Sequence, residues 1–173
     1  MKITPSVEKY ILHWGEMGTR WGVNRTVAQV HALLYLSPKP LAADEIVKLL
    51  SVARSNVSTS IKELQSYNLV KTVHLLGDRR DHFEAHGDLW QMFTNIIEER
   101  KKREIDPTLS MLRACILEAE NETDIDPITV ERISNMHQFV DTLTTWYSKV
   151  ITLKKDTLIK LMNMGSKIAK FIK

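Results

Sequence analysis

Near the middle of the chain the hydrophobic period changes, within a few residues, from helical to alternating. Residues 51–68 read SVARSNVSTSIKELQSYN, and Val57, Ile61 and Leu64 recur at four- and three-residue steps, on one face of a helix. Arg54, Ser55, Ser58, Thr59 and Lys62 fall largely on the opposite face. From Leu69 to Leu76 β-branched and apolar residues dominate, Gly77-Asp78-Arg79-Arg80 is a turn signal, and residues 81–86 can pair back as a second strand. A short amphipathic helix followed at once by a hairpin leaves few architectures open, and a helix-turn-helix closed by a β-wing satisfies both patterns. The outward face of the helix carries short side chains and two cations. Small groups allow close approach to a major groove, where Arg and Asn read base edges. Arg79 and Arg80 near the wing tip suit a minor groove or the phosphate backbone. The competing reading is a plain surface helix followed by a solvated turn.

The flanking sequence supplies the remaining elements. Thr4-Pro5 starts a first helix with the stripe Val7, Ile11, Trp14, Gly18 and Trp21, ended by Gly22. Asn24 caps a second helix from Arg25 to Leu36, which Ser37-Pro38-Lys39-Pro40 stops. A third, short helix from about Ala42 to Leu50 has Asp44 and Glu45 in its first turn, where acids suit the helix dipole. Ser51 is expected to cap the helix that follows. From Asp88 onward the chain reads as helix throughout, with restarts expected at Asp106-Pro107 and Asp126-Pro127. Its last apolar stripe is Leu158, Leu161, Gly165, Ile168 and Ile172. The fold expected is mostly α with a small β-hairpin wing. It comprises an N-terminal helix (1–22), a winged helix-turn-helix (23–87) and a helical dimerisation region (88–173).

Charge placement agrees with this. The formal net charge is +3, and residues 20–87 hold nine bases against six acids while residues 88–173 hold thirteen of each. The excess therefore surrounds the proposed reading helix, and its local position matters more than its size. No apolar run approaches the length that crosses a bilayer, and the first residues lack the apolar block of a secretory signal, so a cytoplasmic protein is expected. The lysine-rich tail from Lys149 has only Phe171 as an aromatic anchor, which argues against a membrane surface. The single cysteine, Cys115, excludes an internal disulfide and is expected to be a buried structural thiol. His82 and His86 would lie too far apart along a strand to share a metal. A Gly-rich phosphate loop, a nucleophile elbow and HExxH are all missing, so neither an enzyme nor a cofactor is expected.

The stretch from Glu16 to Ala85 resembles the winged-helix core of MarR-type regulators, and within them the glycine betaine synthesis regulator (GbsR-like) branch. The resemblance rests on Gly18, Trp21-Gly22, Asn24-Arg25-Thr26, Ala43-Asp44-Glu45-Ile46, Arg54-Ser55-Asn56-Val57-Ser58 and Gly77-Asp78-Arg79. It implies a homodimeric repressor with paired winged helices and helical ends at the dimer interface, and some members of the family sense small ligands. Ala42 departs from the pattern, since relatives often place a hydroxyl cap there.

Taken together, the chain is expected to bind double-stranded DNA as a homodimer on an inverted repeat. Arg54, Ser55, Asn56, Ser58, Thr59 and Lys62 would face the major groove, Arg79 and Arg80 the flanking minor groove or backbone, and Arg25 a phosphate. A small-molecule effector is expected at Trp14, Trp21, Trp90, Trp146 and Tyr147, where ring faces could hold a choline-like cation. The same rings would otherwise fill a helical dimer core. The rival function is a winged-helix module that binds a protein partner and no DNA.

Overall fold

The computed structural model describes residues 1–168. Ile172 of the last expected stripe and Phe171 lie outside the described residues. Two compact units divide the chain, Met1–Ile96 and a second from Ile97 onward.

In the first unit, α1 (Pro5–Arg20) packs along α2 (Arg25–Leu36). Two glycines set how close these helices come. A Cβ on Gly15 would lie 2.7 Å from Gln29 Cγ, and one on Gly18 would lie 2.5 Å from Ala28 Cβ. Gly22 leaves α1 at a left-handed φ of 76°, and Asn24 Oδ1 accepts from Thr26 N at 2.8 Å to start α2. Trp21, placed by its spacing on the buried stripe, instead caps the end of α1 and is 58% exposed. The helix unwinds there, so the three- and four-residue repeat no longer governs where its ring points.

A two-residue strand β1 (Leu41–Ala42) follows, then α3 (Ala43–Leu50) and α4 (Arg54–Ser66). Strands β2 (Val70–Val73) and β3 (His82–Ala85) complete an antiparallel sheet in the order β1-β3-β2, with Ala42 and Val73 both opposite His82. The third strand had no signature of its own. Its two residues gain backbone partners only because β3 passes beside them. Ala42 has no side chain to cap α3, but the Glu45 carboxylate accepts from the Ala42 amide at 2.9 Å, which supplies half of a capping box.

Ser51 is not the cap of α4. It adopts the left-handed region (φ 54°, ψ 39°) as the C-cap of α3, and Ala53 precedes α4 without a side-chain cap. The tight reversal between α3 and α4 needs a left-handed residue, and that backbone demand overrides the hydroxyl's capping preference. Leu33, Leu41, Ile46, Val30, Val57 and Ser60 are the largest fully buried side chains of this unit among the described residues. Burying each of the five aliphatics among them, Leu33, Leu41, Ile46, Val30 and Val57, contributes about 1.5–3 kcal/mol.

α5 (Leu89–Arg100) closes over the end of α4. Asn95 Nδ2 donates to the Asn68 carbonyl at 2.7 Å, and Gln91 Nε2 donates to Asn95 Oδ1 at 2.8 Å. The restart expected at Asp106-Pro107 does not occur. The helix runs on through a π-helical turn, Lys101–Ile105, into α6 (Asp106–Ala119). Proline's ring would clash with the carbonyl four residues back in a regular α-helix, and widening the preceding turn relieves that clash without breaking the helix. At Asp126-Pro127 the restart does occur: Asp126 Oδ1 accepts from Ile128 N at 2.8 Å, and α7 (Pro127–Ile151) begins at the proline. α8 (Lys155–Ile168) is the last described element. Cys115 is half-buried rather than buried, its thiol 3.6 Å from Met111 Sδ one turn away. Among the described residues no helix is long and apolar enough to cross a membrane.

Candidate nucleic-acid interface

α4 divides its residues cleanly. Val57, Ser60, Ile61 and Leu64 are buried, while Arg54, Ser55, Asn56, Ser58, Thr59 and Lys62 are exposed. Ser60 is the one polar side chain on the buried face. The outward face thus presents two cations, an amide and three hydroxyls, and Glu63 is the only acid on the helix. Arg25, exposed at the first position of α2, adds a further cation to this unit.

The wing separates its two arginines. Arg80 is committed to protein carboxylates. Its Nη1 donates to Asp44 Oδ1 and Oδ2 at 2.9 and 3.0 Å, its Nε to Asp78 Oδ1 at 3.0 Å, and its Nη2 to Asp78 Oδ2 at 2.6 Å. Hydrogen bonds from the Arg80 side chain, then from its backbone, hold the Asp78 carboxyl well below the usual carboxylate range. Asp78 in turn raises the guanidinium, and Asp44 adds to this. Behind the pair sits His82, buried, with Nδ1 donating to the Arg80 carbonyl at 3.0 Å and Nε2 3.5 Å from Asp78 Oδ2. Gln65 Nε2 donates to Thr72 Oγ1 at 2.9 Å, which ties α4 to β2. Arg79 is exposed, and no carboxylate lies within ion-pair distance of it among the described residues. Arg79 is therefore the wing cation open to an outside partner, and Arg80 fixes the wing to the first turn of α3.

Asp44, Asp78 and His82 are positioning residues that sequence reasoning missed as a group. Asp44 reads locally as a helix-dipole residue, and nothing nearby signals a partner 36 positions along the chain.

Two pairs of aromatic rings meet within the first unit. Trp14 stacks on Tyr10 (centroids 5.7 Å apart, planes at 7°), and Trp90 meets Phe93 at 5.9 Å and 41°. Trp21 and Trp146 are exposed. Trp146 and Tyr147 belong to the second unit and the other three tryptophans to the first. Tyr147 lines a cleft of about 350 Å³ with Ile97, Ile105, Val140 and Leu143, beside the π-helical turn. Its hydroxyl is buried without a hydrogen-bond partner among the described residues, and burial, then the charge of Glu98, pushes its pKa up.

Residues 21–81 match the MarR family. The matched stretch runs from the end of α1 to the wing and includes Arg25, α3, α4 and both wing arginines. Similar proteins include the HTH-type transcriptional repressor GbsR of Bacillus subtilis (strain 168), 27% identical over 92 residues, or 53% of this chain and 51% of GbsR. The chain thus spans about half the length of that relative. The HTH-type transcriptional repressor OpcR of the same organism is 20% identical over 126 residues, covering 73% of this chain and 68% of OpcR. A solved transcriptional regulator superposes with a TM-score of 0.66 at 15% identity, covering 92% of this chain and 99% of its own. At that identity the superposition speaks for the fold, a winged helix with additional helices.

Proposed function

We propose that this protein is a sequence-specific regulator of transcription that binds duplex DNA through α4 and the wing. The observation that carries the reading is the division of α4: a fully buried apolar face beneath an outward face of Arg54, Asn56, Lys62 and short hydroxyl side chains. Such a face approaches a major groove closely and offers bidentate donors to base edges. Arg79, held out by a wing that Arg80 has fastened, would reach the neighbouring minor groove or a phosphate. That GbsR and OpcR are repressors supports the same sign of regulation here.

The finer reading is a homodimer. α7 is 25 residues long and none of them is buried. Met136, Phe139, Leu143 and Trp146 follow one another at steps of three, four and three, and each is more than half exposed. That spacing is the seam of a helix pair, and a second copy of the chain would cover it while presenting two α4 helices to an inverted repeat. Half-sites would then lie about 34–36 Å apart, or a multiple of that. A small ligand that favours another dimer geometry would release the DNA. The exposed ring of Trp146 is a face that a choline-like cation would find.

Selection of bound duplexes from a random pool by the purified protein tests the reading. An enriched inverted repeat, with affinity falling steeply as salt rises, is the expected result. No enrichment together with salt-insensitive capture of a protein partner would replace it by the interaction-module reading. Sedimentation of the wild type and of Leu143→Glu tests the seam: the wild type should be dimeric and the variant monomeric. Tryptophan fluorescence titrated with choline and with glycine betaine tests the effector.

A further inference from the structure

The wing tip carries an apolar group that the base and phosphate contacts of α4 and Arg79 do not use. Leu76 is fully exposed, at 107% of its reference area, and Leu75 beside it is 40% exposed. Both precede Gly77, whose φ of 83° makes the turn, and the Asp78 amide donates to the Leu75 carbonyl at 3.2 Å. An exposed leucine by itself says little, because folded surfaces carry many. Here three further observations bear on it. The tip is held from behind by charge, through Arg80 to Asp78 and Asp44, so Leu76 is presented without contributing to the packing that holds it. Arg79, the open cation of the wing, lies three positions along. Of the acids at the tip, Asp78 is engaged by Arg80, and Asp81 lies 3.7 Å from the exposed ring of His74. The tip therefore combines an apolar projection with an adjacent open cation and an acid, Asp78, whose charge Arg80 already answers.

We infer that Leu76 is a wedge that enters the minor groove beside Arg79 and partly unstacks one base step. This rests on the reading of the module as a duplex-binding one. Minor-groove proteins insert leucine and similar residues between base pairs and bend the duplex as they do so. Leucine suits the task because it needs no hydrogen-bond partner between bases and because burial removes its apolar surface from water. Pyrimidine–purine steps unstack most easily, so the wedge adds a sequence preference at positions that make no polar contact with the protein.

The test uses the full-length protein and the duplex enriched from the random pool. A fluorescent adenine analogue replaces adenine at each pyrimidine–purine step in turn. Wild type and Leu76→Met should raise the fluorescence at one step of each half-site when they bind. Leu76→Ala should bind about tenfold more weakly, equivalent to about 1.4 kcal/mol, and leave that step dark. The side chain is fully exposed, so the variant should keep the wild-type melting temperature. Binding by the wild type with no step lighting up, or an equal rise with Leu76→Ala, would overturn the wedge and leave the DNA reading standing. A wild-type protein that enriches and shifts no duplex would overturn both.

Discussion

His31 offers a direct physical test of how the first unit is held together. It lies on α2, is 5% exposed, and its Nε2 has no hydrogen-bond partner among the described residues. Burial lowers its pKa from the ordinary 6.5 to about 4, because the charged ring would lose hydration that nothing around it replaces. The unfolded chain binds a proton near pH 6.5 and the folded chain resists it until about pH 4. Stability from this residue is therefore complete above about pH 6.5 and falls as the pH drops towards 4. The loss should be about 1.4 kcal/mol at pH 5.5 and about 3 kcal/mol at pH 4, from the two pKa values and 1.36 kcal/mol per tenfold in proton affinity. Urea unfolding of the wild type and of His31→Leu over this range measures it. Carboxylates titrate equally in both proteins, so the difference between the two curves isolates the ring. That difference should swing by about 3 kcal/mol in favour of the leucine variant between pH 7.5 and pH 4. Parallel curves would refute the reasoning and mean that the surroundings of His31 accept the charged ring.

Other outcomes follow from the geometry. Arg54→Ala should cost about 1–3 kcal/mol on the best operator and little on random duplex if the guanidinium reads a base, as competition assays would show; an equal cost on both would make Arg54 a phosphate-binding residue. Arg79→Ala should flatten the slope of log affinity against log salt by about 0.9 per subunit for each phosphate that its guanidinium neutralises. Asp44→Asn should weaken binding with little change of slope, since Asp44 acts through the position of the wing. Gly18→Ala should destabilise by about 1–3 kcal/mol in thermal unfolding, despite alanine's better helix propensity, because its Cβ would meet Ala28 Cβ at 2.5 Å; a neutral or stabilising result would show that α1 can slide along α2.

Much of the fold lay in local pattern. The stripe of Val57, Ile61 and Leu64, the cap at Asn24, the turn at Gly77 and the restart at Asp126-Pro127 each follow from forces acting within a few residues: amphipathic periodicity, capping and the allowed backbone angles. For the same reason the outward face of α4 could be named residue by residue. Tertiary structure decided the rest, where the partner is distant or the backbone is strained by its surroundings. Ser51 became a left-handed C-cap because α3 and α4 must reverse direction there. Pro107 stayed inside a helix because a π-helical turn made room for its ring. Leu41 and Ala42 became a strand because β3 came alongside. Above all, Arg79 and Arg80 are chemically identical neighbours, and only the fold brings Asp44 to Arg80 and leaves Arg79 open. A guanidinium's role depends on which carboxylates the folded chain places within reach, and spacing along the sequence carries no record of that.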